Sequence, residues 1–244
     1  MVLPIINNIV DNTIQGIMYY NGLVYEYKIY LLPILKDGAI YTEVMNFFSN
    51  RNNCLHITPA DIENYIVNEQ VSAFIIVNQQ GYDETASGTI QTYNWCNRVP
   101  RKLNILQNAQ VWINDVCKIL GSSNVKTPTS PLGAFFTLIE QFAVQKLGKS
   151  DIYLMVEKNS SKDKLISIYN TNYGFNMNIC NEPKPSISNN YEIMIKSGII
   201  NNTSIVDFTA LALAGGSIHK MMKHKKCKSR KLIKKRKYKK SYRH

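Results

Sequence analysis

The hydrophobic pattern between residues 108 and 175 changes from a strand period to a helix period and back. Residues 109–118 contain a β-branched run that predicts a strand, and residues 151–157 are apolar on both faces, as in a strand inside a covered sheet. Strand, loop, helix and strand in about 50 residues form a crossover unit, whose loop at the helix N-terminus is the usual place for a phosphate-bearing ligand. One buried helix face is predicted by the i, i+3, i+4, i+7, i+8 spacing of Phe135, Leu138, Ile139, Phe142 and Ala143.

The rest of the pattern predicts further strands and helices on both sides of this unit. A strand, two helices and a two-stranded hairpin come before it, and a helix and two short strands complete it. The segments are 23–35 for the first strand, 41–49 and a start at Thr58 for the helices, 71–77 and 85–93 for the hairpin, 163–170 for the last helix, and 176–179 and 191–195 for the final strands.

Three pieces of the crossover unit resemble the GNAT acetyltransferase superfamily. The first two are the strand that ends at residues 115–117 and the helix after a Gly-containing loop. The third is a closing stretch similar to the family's V-x-x-N … Y-x-x-x-G-F signature, carried here by Val156, Asn159, Tyr169, Gly174 and Phe175. One extra residue lies between this Tyr and this Gly, and a short insertion follows the Asn.

The resemblance implies an α/β acetyltransferase-like fold, in which helices flank a central mixed sheet of about seven strands. This domain is expected over residues 21–197. Residues 1–20 fit either an arm or an added strand, residues 198–217 are a connector, and residues 218–244 are a basic tail.

The resemblance also implies acetyl-CoA as the cofactor, held by backbone N–H groups at a helix N-terminus and along a strand edge. The family's Gln/Arg-x-x-Gly-x-Gly/Ala loop corresponds to residues 127–134, which lack the leading Arg or Gln and contain Pro131, a residue without an N–H donor. Alternatively, Ser130-Pro131 starts an ordinary helix. The implied cofactor contacts are the backbone of Val116, Cys117 and Lys118, the loop residues Lys126, Thr129, Ser130, Leu132, Gly133 and Ala134, and the signature Asn159.

Two side chains are candidates for acid–base catalysis. Tyr169 matches the signature tyrosine, which implies that it protonates the leaving CoA sulfur, and a phenol with a pKa of about 10 holds its proton at neutral pH. Tyr173 is its substitute because of the extra residue; alternatively, Tyr169 packs its helix on the sheet. Asp115 is the candidate base: if positions 111, 113, 115 and 117 share a face, apolar surroundings raise its pKa. An Asp that ends a strand or holds a turn is the other interpretation.

Metal and cysteine chemistry are disfavoured. The five cysteines (54, 96, 117, 180 and 227) form no C-x-x-C pair and have no histidine at zinc-ligand spacing, which favours reduced thiols in an intracellular protein. No histidine lies in residues 108–175, so a Cys–His mechanism at Cys117 is disfavoured. No apolar run approaches the roughly 20 residues that span a bilayer.

Charge is concentrated at the C-terminus. Residues 218–244 carry 14 Lys or Arg and no Asp or Glu, which leaves 15 basic against 17 acidic residues in positions 1–217. Such a segment is predicted to be disordered alone and to bind nucleic acid without sequence preference, while Tyr238 and Tyr242 can stack on bases. A nuclear-import signal fits the same residues, and a solubilising tail is a third interpretation.

Two functions are consistent with these features. The first is N-acetyl transfer from acetyl-CoA to an amine acceptor by direct attack on the thioester. The second is a catalytically inactive domain of the same fold that acts as a virion or nucleic-acid-associated protein through its tail. The richness in Asn, Ile, Lys and Tyr resembles proteins of large DNA viruses, which implies a location in the host cytoplasm, the nucleus or the virion.

Overall fold

The structure is a computed structural model that describes residues 8–10, 13–31, 38–49, 60, 63, 73–81, 85–93, 110–119, 131–177 and 189–208. The chain divides into two compact units, Met1–Phe208 and Thr209–His244, and every described residue belongs to the first. The helix predicted at Thr58, the loop residues 126–130 and the tail 218–244 lie outside the described residues. At Asp115 and Lys118 the description covers the backbone.

Nine strands form one mixed sheet. They are β1 (Asn8–Val10), β2 (Thr13–Tyr20), β3 (Leu23–Leu31), β4 (Ala73–Gln79), β5 (Thr85–Tyr93), β6 (Gln110–Ile119), β7 (Ile152–Glu157), β8 (Asn176–Met177) and β9 (Tyr191–Lys196). Their order in the sheet is β1-β2-β3-β4-β5-β6-β7-β9-β8. β6 and β7 run parallel, as the crossover unit predicts, and all other neighbours run antiparallel.

Three helices accompany the sheet: α1 (Ala39–Ser49), α2 (Pro131–Lys146) and α3 (Lys162–Tyr173). The α1 residue Glu43 accepts a hydrogen bond from the hydroxyl of Tyr30 on β3. On α2, Phe142 contacts Phe208, which in turn contacts Tyr27 of β3. Positions 27 and 30 have opposite parity along an extended strand, so α1 and α2 lie on opposite faces of the sheet. We call these the α1 face and the α2 face.

This architecture confirms the predicted α/β class with a central mixed sheet flanked by helices. The sheet is larger than expected because residues 8–10 and 13–20 form the strands β1 and β2, which is the second of the two interpretations of this segment. Ile14 and Met18 of β2 are fully buried, so the added strand contributes to the core. The five predicted core positions of α2 are all buried as well.

The helix ends follow from local sequence. α3 ends at Gly174, which has the left-handed φ of 73° that residues with a Cβ rarely adopt. The N–H of Gly174 donates to the carbonyl of Asn170 at 3.1 Å, and the N–H of Phe175 donates to that of Tyr169 at 3.1 Å. The chain then reverses into β8, and Phe175 enters the core with no exposed surface.

Residues 199–208, the C-terminal strap, are fastened to α2 by two glutamines. Gln141 donates to the carbonyl of Ile200 at 3.0 Å and accepts from the N–H of Asn202 at 2.7 Å. Gln145 donates to the carbonyl of Val206 at 3.0 Å and accepts from the N–H of Phe208 at 2.8 Å. Val206 and Phe208 are fully buried. The first part of the predicted connector, as far as position 208, is therefore packed on the domain.

The Gln141→Ala substitution should destabilise the domain. Gln141 is only 3% exposed, and its loss leaves the carbonyl of Ile200 and the N–H of Asn202 without their partner. Hydrogen bonds of this kind contribute about 1 kcal/mol each, so we expect a loss of about 2 kcal/mol in the free energy of unfolding, measured by urea denaturation. Gln80→Ala, at an exposed turn position, is the control. Equal unfolding midpoints for the two variants would show that the strap does not depend on Gln141.

Candidate functional site

The parallel strands β6 and β7 pair over only three residues. Val111, Trp112 and Ile113 lie opposite Ile152, Tyr153 and Leu154. β6 then continues to Ile119 and β7 to Glu157, and within the described residues these later parts are not paired with each other. The two carboxyl ends therefore diverge without a shared ladder, and we call the gap between them the β6–β7 cleft.

A β-bulge in β6 lies where the two strands part. Ile113 pairs with Ile90 of β5, whereas Asp115 pairs with the preceding residue, Thr89, so Asn114 is left without a partner in the ladder. A bulge bends its strand and increases its local twist. The bulge thus gives a local cause for the divergence of β6 from β7.

The bulge contradicts one prediction about Asp115. Directly opposed residues of an antiparallel pair share a face, so the register places Val111 and Ile113 on the face of Ile90, which is the α2 face. Beyond the bulge, positions 115 and 117 follow Thr89 and Ser87 on the α1 face. The proposal that positions 111, 113, 115 and 117 share one face is wrong, because the extra residue reverses the alternation.

The backbone of Val116, Cys117 and Lys118 lines the cleft edge of β6. These residues pair with β5 on one side, opposite Gly88, Ser87 and Ala86, and have no pairing with β7 on the other. Because each residue carries an N–H and a C=O, a strand paired on one side alone presents backbone groups to a ligand on its open side. Cys117 is disulfide-bonded, which differs from the reduced thiols expected from the sequence, while the predicted contact concerns its backbone.

The N-terminus of α2 lies at the carboxyl end of β6 because a crossover helix runs antiparallel to the strands that it connects. α2 begins at Pro131. A proline at the first helical position removes an N–H that would have had no intrahelical partner, so the helix loses no hydrogen bond there. Leu132, Gly133 and Ala134 of the predicted set follow in the first turn, and the N–H groups of Leu132 and Gly133 have no partner within the helix. Lys126, Thr129 and Ser130 lie outside the described residues.

Asn159 is occupied by local contacts after β7. Its Oδ1 accepts from the N–H of Ser161 at 2.9 Å, and its Nδ2 donates to Oε2 of Glu157 at 3.1 Å. Its carbonyl also accepts from the N–H of Lys162 at 3.1 Å. These bonds shape the turn into α3. A direct cofactor contact by Asn159 stays a prediction.

Tyr169 and Tyr173 are brought together by the helical spacing of α3. Their ring centroids are 6.4 Å apart, and both rings contact Phe136 of α2, at 5.9 and 4.5 Å. Phe175 completes this aromatic cluster, 6.5 Å from Tyr169. Tyr169 thus packs α3 against the helix α2, and the role of either tyrosine as an acid stays a prediction.

The phenol of Tyr169 holds its proton more strongly than a free tyrosine. Burial, which is the larger cause, and the neighbouring Tyr173 together raise its pKa to about 12. Desolvation disfavours the charged phenolate, so the neutral form, which can donate a proton, is present throughout the physiological range.

Two features of the cleft were not found from the sequence. The buried ring of Trp112 stacks on that of Tyr153 across β6 and β7, with centroids 4.8 Å apart and planes inclined by 25°. This stack lies at the last pairs before the strands part. The Oδ1 of Asn114 is buried and accepts no hydrogen bond in the described part of the chain. A polar residue inside an apolar strand was the only sequence signal of the bulge.

Comparison with known proteins gave matches among solved structures alone. No protein-family model matches the chain, and no curated protein matches it. It is similar to an acetyltransferase of the GNAT family from Listeria monocytogenes 4b F2365, with 12% identity, a TM-score of 0.42, and coverage of 74% of this chain and 99% of that one. It is also similar to the N-acetyltransferase PseH of Campylobacter jejuni, with 13% identity, a TM-score of 0.34, and coverage of 70% and 97%. Neither likeness identifies a substrate for this chain.

The described residues contain no group of three or more His, Cys, Asp or Glu side chains that could hold a metal ion. None of the helices in this part of the chain is long and apolar enough to cross a membrane.

The raised pKa of Tyr169 predicts a pH dependence of stability. Between pH 10 and pH 12 the unfolded chain loses this proton while the folded domain keeps it, so the contribution is complete below pH 10 and disappears as the pH rises through about 12. Two pKa units correspond to about 2.7 kcal/mol. In urea unfolding, Tyr169→Phe should therefore lose less stability than the wild type between about pH 9.5 and about pH 12.

Tyr191→Phe, which removes a hydroxyl from a partly exposed ring on β9, is the matched control. The predicted desolvation of Tyr169 would be refuted if the Tyr169→Phe and wild-type stability profiles ran parallel over this alkaline range.

Proposed function

We propose that the described domain is an acetyl-CoA-dependent N-acetyltransferase that transfers an acetyl group to an amine. The observation that carries this proposal is the divergence of β6 from β7 beside the bulge at Asn114. It provides a cleft that has an unpaired strand edge on one wall and the start of α2 at the same end of the sheet. The proposal adopts the GNAT-like interpretation of the sequence.

The strand edge suits the pantetheine arm of acetyl-CoA, which carries two amide groups. An extended amide chain can hydrogen-bond to an open strand edge as an added strand does. Val116, Cys117 and Lys118 would supply these backbone bonds, because their β5 side is already paired and their β7 side is open.

The first turn of α2 suits the pyrophosphate of the same cofactor. The N–H groups of Leu132 and Gly133, which have no partner within the helix, and the positive end of the helix dipole favour an anion at this position. Lys126, Thr129 and Ser130 precede the helix in the sequence and would add a positive charge and two hydroxyl donors.

Acetyl-CoA supplies the thioester, and the side chains of this chain would move the protons. When the amine nitrogen attacks the carbonyl carbon and the C–S bond breaks, the thiolate requires a proton and the amine must lose one. Tyr169 is our candidate donor, since its pKa of about 12 preserves the proton. Tyr173 is its substitute, and Asp115, at the bulge, is the candidate base.

Full-length protein should bind acetyl-CoA in isothermal titration calorimetry. We expect micromolar affinity, or about −8 kcal/mol. Adenosine diphosphate at the same salt concentration is the control, because it has the pyrophosphate charge without the amide-bearing arm. Acetyl-CoA should bind more tightly than this control if the cleft receives the arm, whereas equal binding would contradict the proposal.

Tyr169→Phe should lower the turnover of thioester by a factor of about 100 with little change in acetyl-CoA affinity, because a lost proton donor affects the chemical step. Turnover would be followed as thiol release in the presence of a panel of amines. Tyr173→Phe is measured in parallel to identify the substitute donor, and Tyr191→Phe is the control. Unchanged turnover in Tyr169→Phe would exclude Tyr169 as the acid.

The charge of the tail supports a second candidate function. With 14 basic and no acidic residues, positions 218–244 favour binding to nucleic acid by release of counterions. A domain of this fold without catalytic activity would then act through its tail. Salt-sensitive binding of single-stranded DNA by a protein that fails to bind acetyl-CoA would favour this candidate over the first.

A further inference from the structure

A cavity of about 400 Å³ lies on the α1 face, well away from the β6–β7 cleft. β2, β3 and β4 form its floor, and Glu43 of α1 forms part of its wall. Neighbouring strands are about 4.8 Å apart, so β3 is about 14 Å from β6 across the sheet. The cavity is thus a site distinct from the candidate cofactor cleft.

The alternation of β3 directs charged and polar positions to this cavity. Glu26, Lys28 and Tyr30 share one face of the strand, and all three line the cavity. Gln15 lies opposite Lys28 on β2, and Asn78 lies opposite Glu26 on β4, which adds two amide side chains. Gln15 and Glu26 are exposed, so the cavity is accessible from solvent.

Glu43 is ionised, and the hydrogen bonds that it accepts from described residues reach only one of its two carboxylate oxygens. The Tyr30 hydroxyl donates to its Oε1 at 2.9 Å, and the ammonium of Lys28 pairs with the same oxygen. Although burial alone would raise the pKa of Glu43, these two hydrogen bonds and the charge of Lys28 lower it below its usual range. Within the described residues, no group donates to the second oxygen, Oε2.

Tyr30 is a fixed donor in this arrangement. It is 1% exposed, and burial, followed by the negative charge of Glu43, raises its pKa. The phenol therefore stays protonated and keeps its hydrogen bond to the carboxylate of Glu43, which lines the cavity together with Lys28.

The described residues that line the cavity carry a net negative charge. Two carboxylates, Glu26 and Glu43, are present with one ammonium, that of Lys28. Glu26 forms no ion pair with another described residue. The side chains of Lys28 and Glu43 are 43% and 47% exposed, and ion pairs at such exposure contribute little, so Lys28 can be displaced at low cost.

We propose that this cavity binds a small molecule that carries a primary ammonium group. The ammonium donates to the free Oε2 of Glu43 and to the carboxylate of Glu26, and the amide oxygen of Gln15 accepts a further N–H. An anion would face two carboxylates, and a neutral ligand would leave their charge without a partner. The site does not depend on acetyl transfer, since none of its residues belongs to the β6–β7 cleft.

The proposal is tested by titrating 1,4-diaminobutane into the full-length protein and measuring the dissociation constant by calorimetry. Glu26→Gln removes one charge from an exposed side chain without a partner among the described residues, so it should raise the constant about fivefold. Lys28→Met removes the competing ammonium and should lower the constant. Asp163→Asn, which removes an equal charge from an exposed site on α3, should leave it unchanged.

Opposite effects of Glu26→Gln and Lys28→Met distinguish this site from general attraction between an amine and an acidic surface. The neutral analogue 1,4-butanediol should not bind. Three results would each overturn the proposal: equal effects of Glu26→Gln and Asp163→Asn, weaker binding in Lys28→Met, or binding of the diol as tight as that of the diamine. A failure of acetyl-CoA to bind would leave these expectations unchanged.

Discussion

The backbone pairing of β6 determines how the rest of the domain is arranged. On one side β6 pairs with β5 from Gln110 to Ile119, interrupted at the bulge, and on the other it meets its parallel neighbour β7 over three residues. The antiparallel half of the sheet, β1 to β6, and the smaller group β7, β9 and β8 are therefore joined through a short ladder. Because backbone polar groups need partners, the part of β6 beyond Ile113, which no described strand pairs on this side, needs partners other than these strands. The candidate cofactor cleft is a direct consequence of this incomplete ladder.

The two faces of the sheet have different chemical characters. On the α2 face, these polar side chains make hydrogen bonds and ion pairs within the protein. Gln141 and Gln145 bind the backbone of the C-terminal strap, and Lys196 pairs with the mostly buried Glu140 at 2.6 Å. On the α1 face, the ionised groups around Glu43 remain partly exposed and incompletely paired. An apolar cluster on this face lies farther along the sheet, around Trp112 and Ile193. The polar groups of the α2 face thus contribute to stability, whereas those of the α1 face around Glu43 are suited to binding a ligand.

Local periodicity was sufficient to predict most elements of the domain. The helical spacing from Phe135 to Ala143 identified the buried face of α2, and the apolar run of β7 identified an interior strand. Residues 1–20 were ambiguous because a strand hairpin at a sheet edge needs no long apolar run. The C-terminal strap was missed for another reason. Its attachment depends on Gln141 and Gln145, and hydrogen bonds between residues about 60 positions apart leave no periodic signal.

The site was less predictable than the fold. Residues 132–134 and 169–173 could be placed on their helices from the sequence. The face of position 115 could not be predicted, because a bulge depends on how two strands pair and not on the local pattern of one strand. The cavity beside Glu43 was missed since its residues come from three strands and a helix. In the sequence, each of its charged residues alone resembles an ordinary solvent-exposed side chain.

The bulge at Asn114 also makes the gene sensitive to a particular kind of change. Loss of the codon for Asn114 would make Ile113 and Asp115 direct neighbours opposite Ile90 and Thr89, which is regular antiparallel pairing. Positions 115 to 119 would therefore keep their partners on β5 and their faces, while the bulge and its bend disappeared. An in-frame deletion of this one codon would thus spare the ladder with β5 and remove the local cause of the divergence from β7.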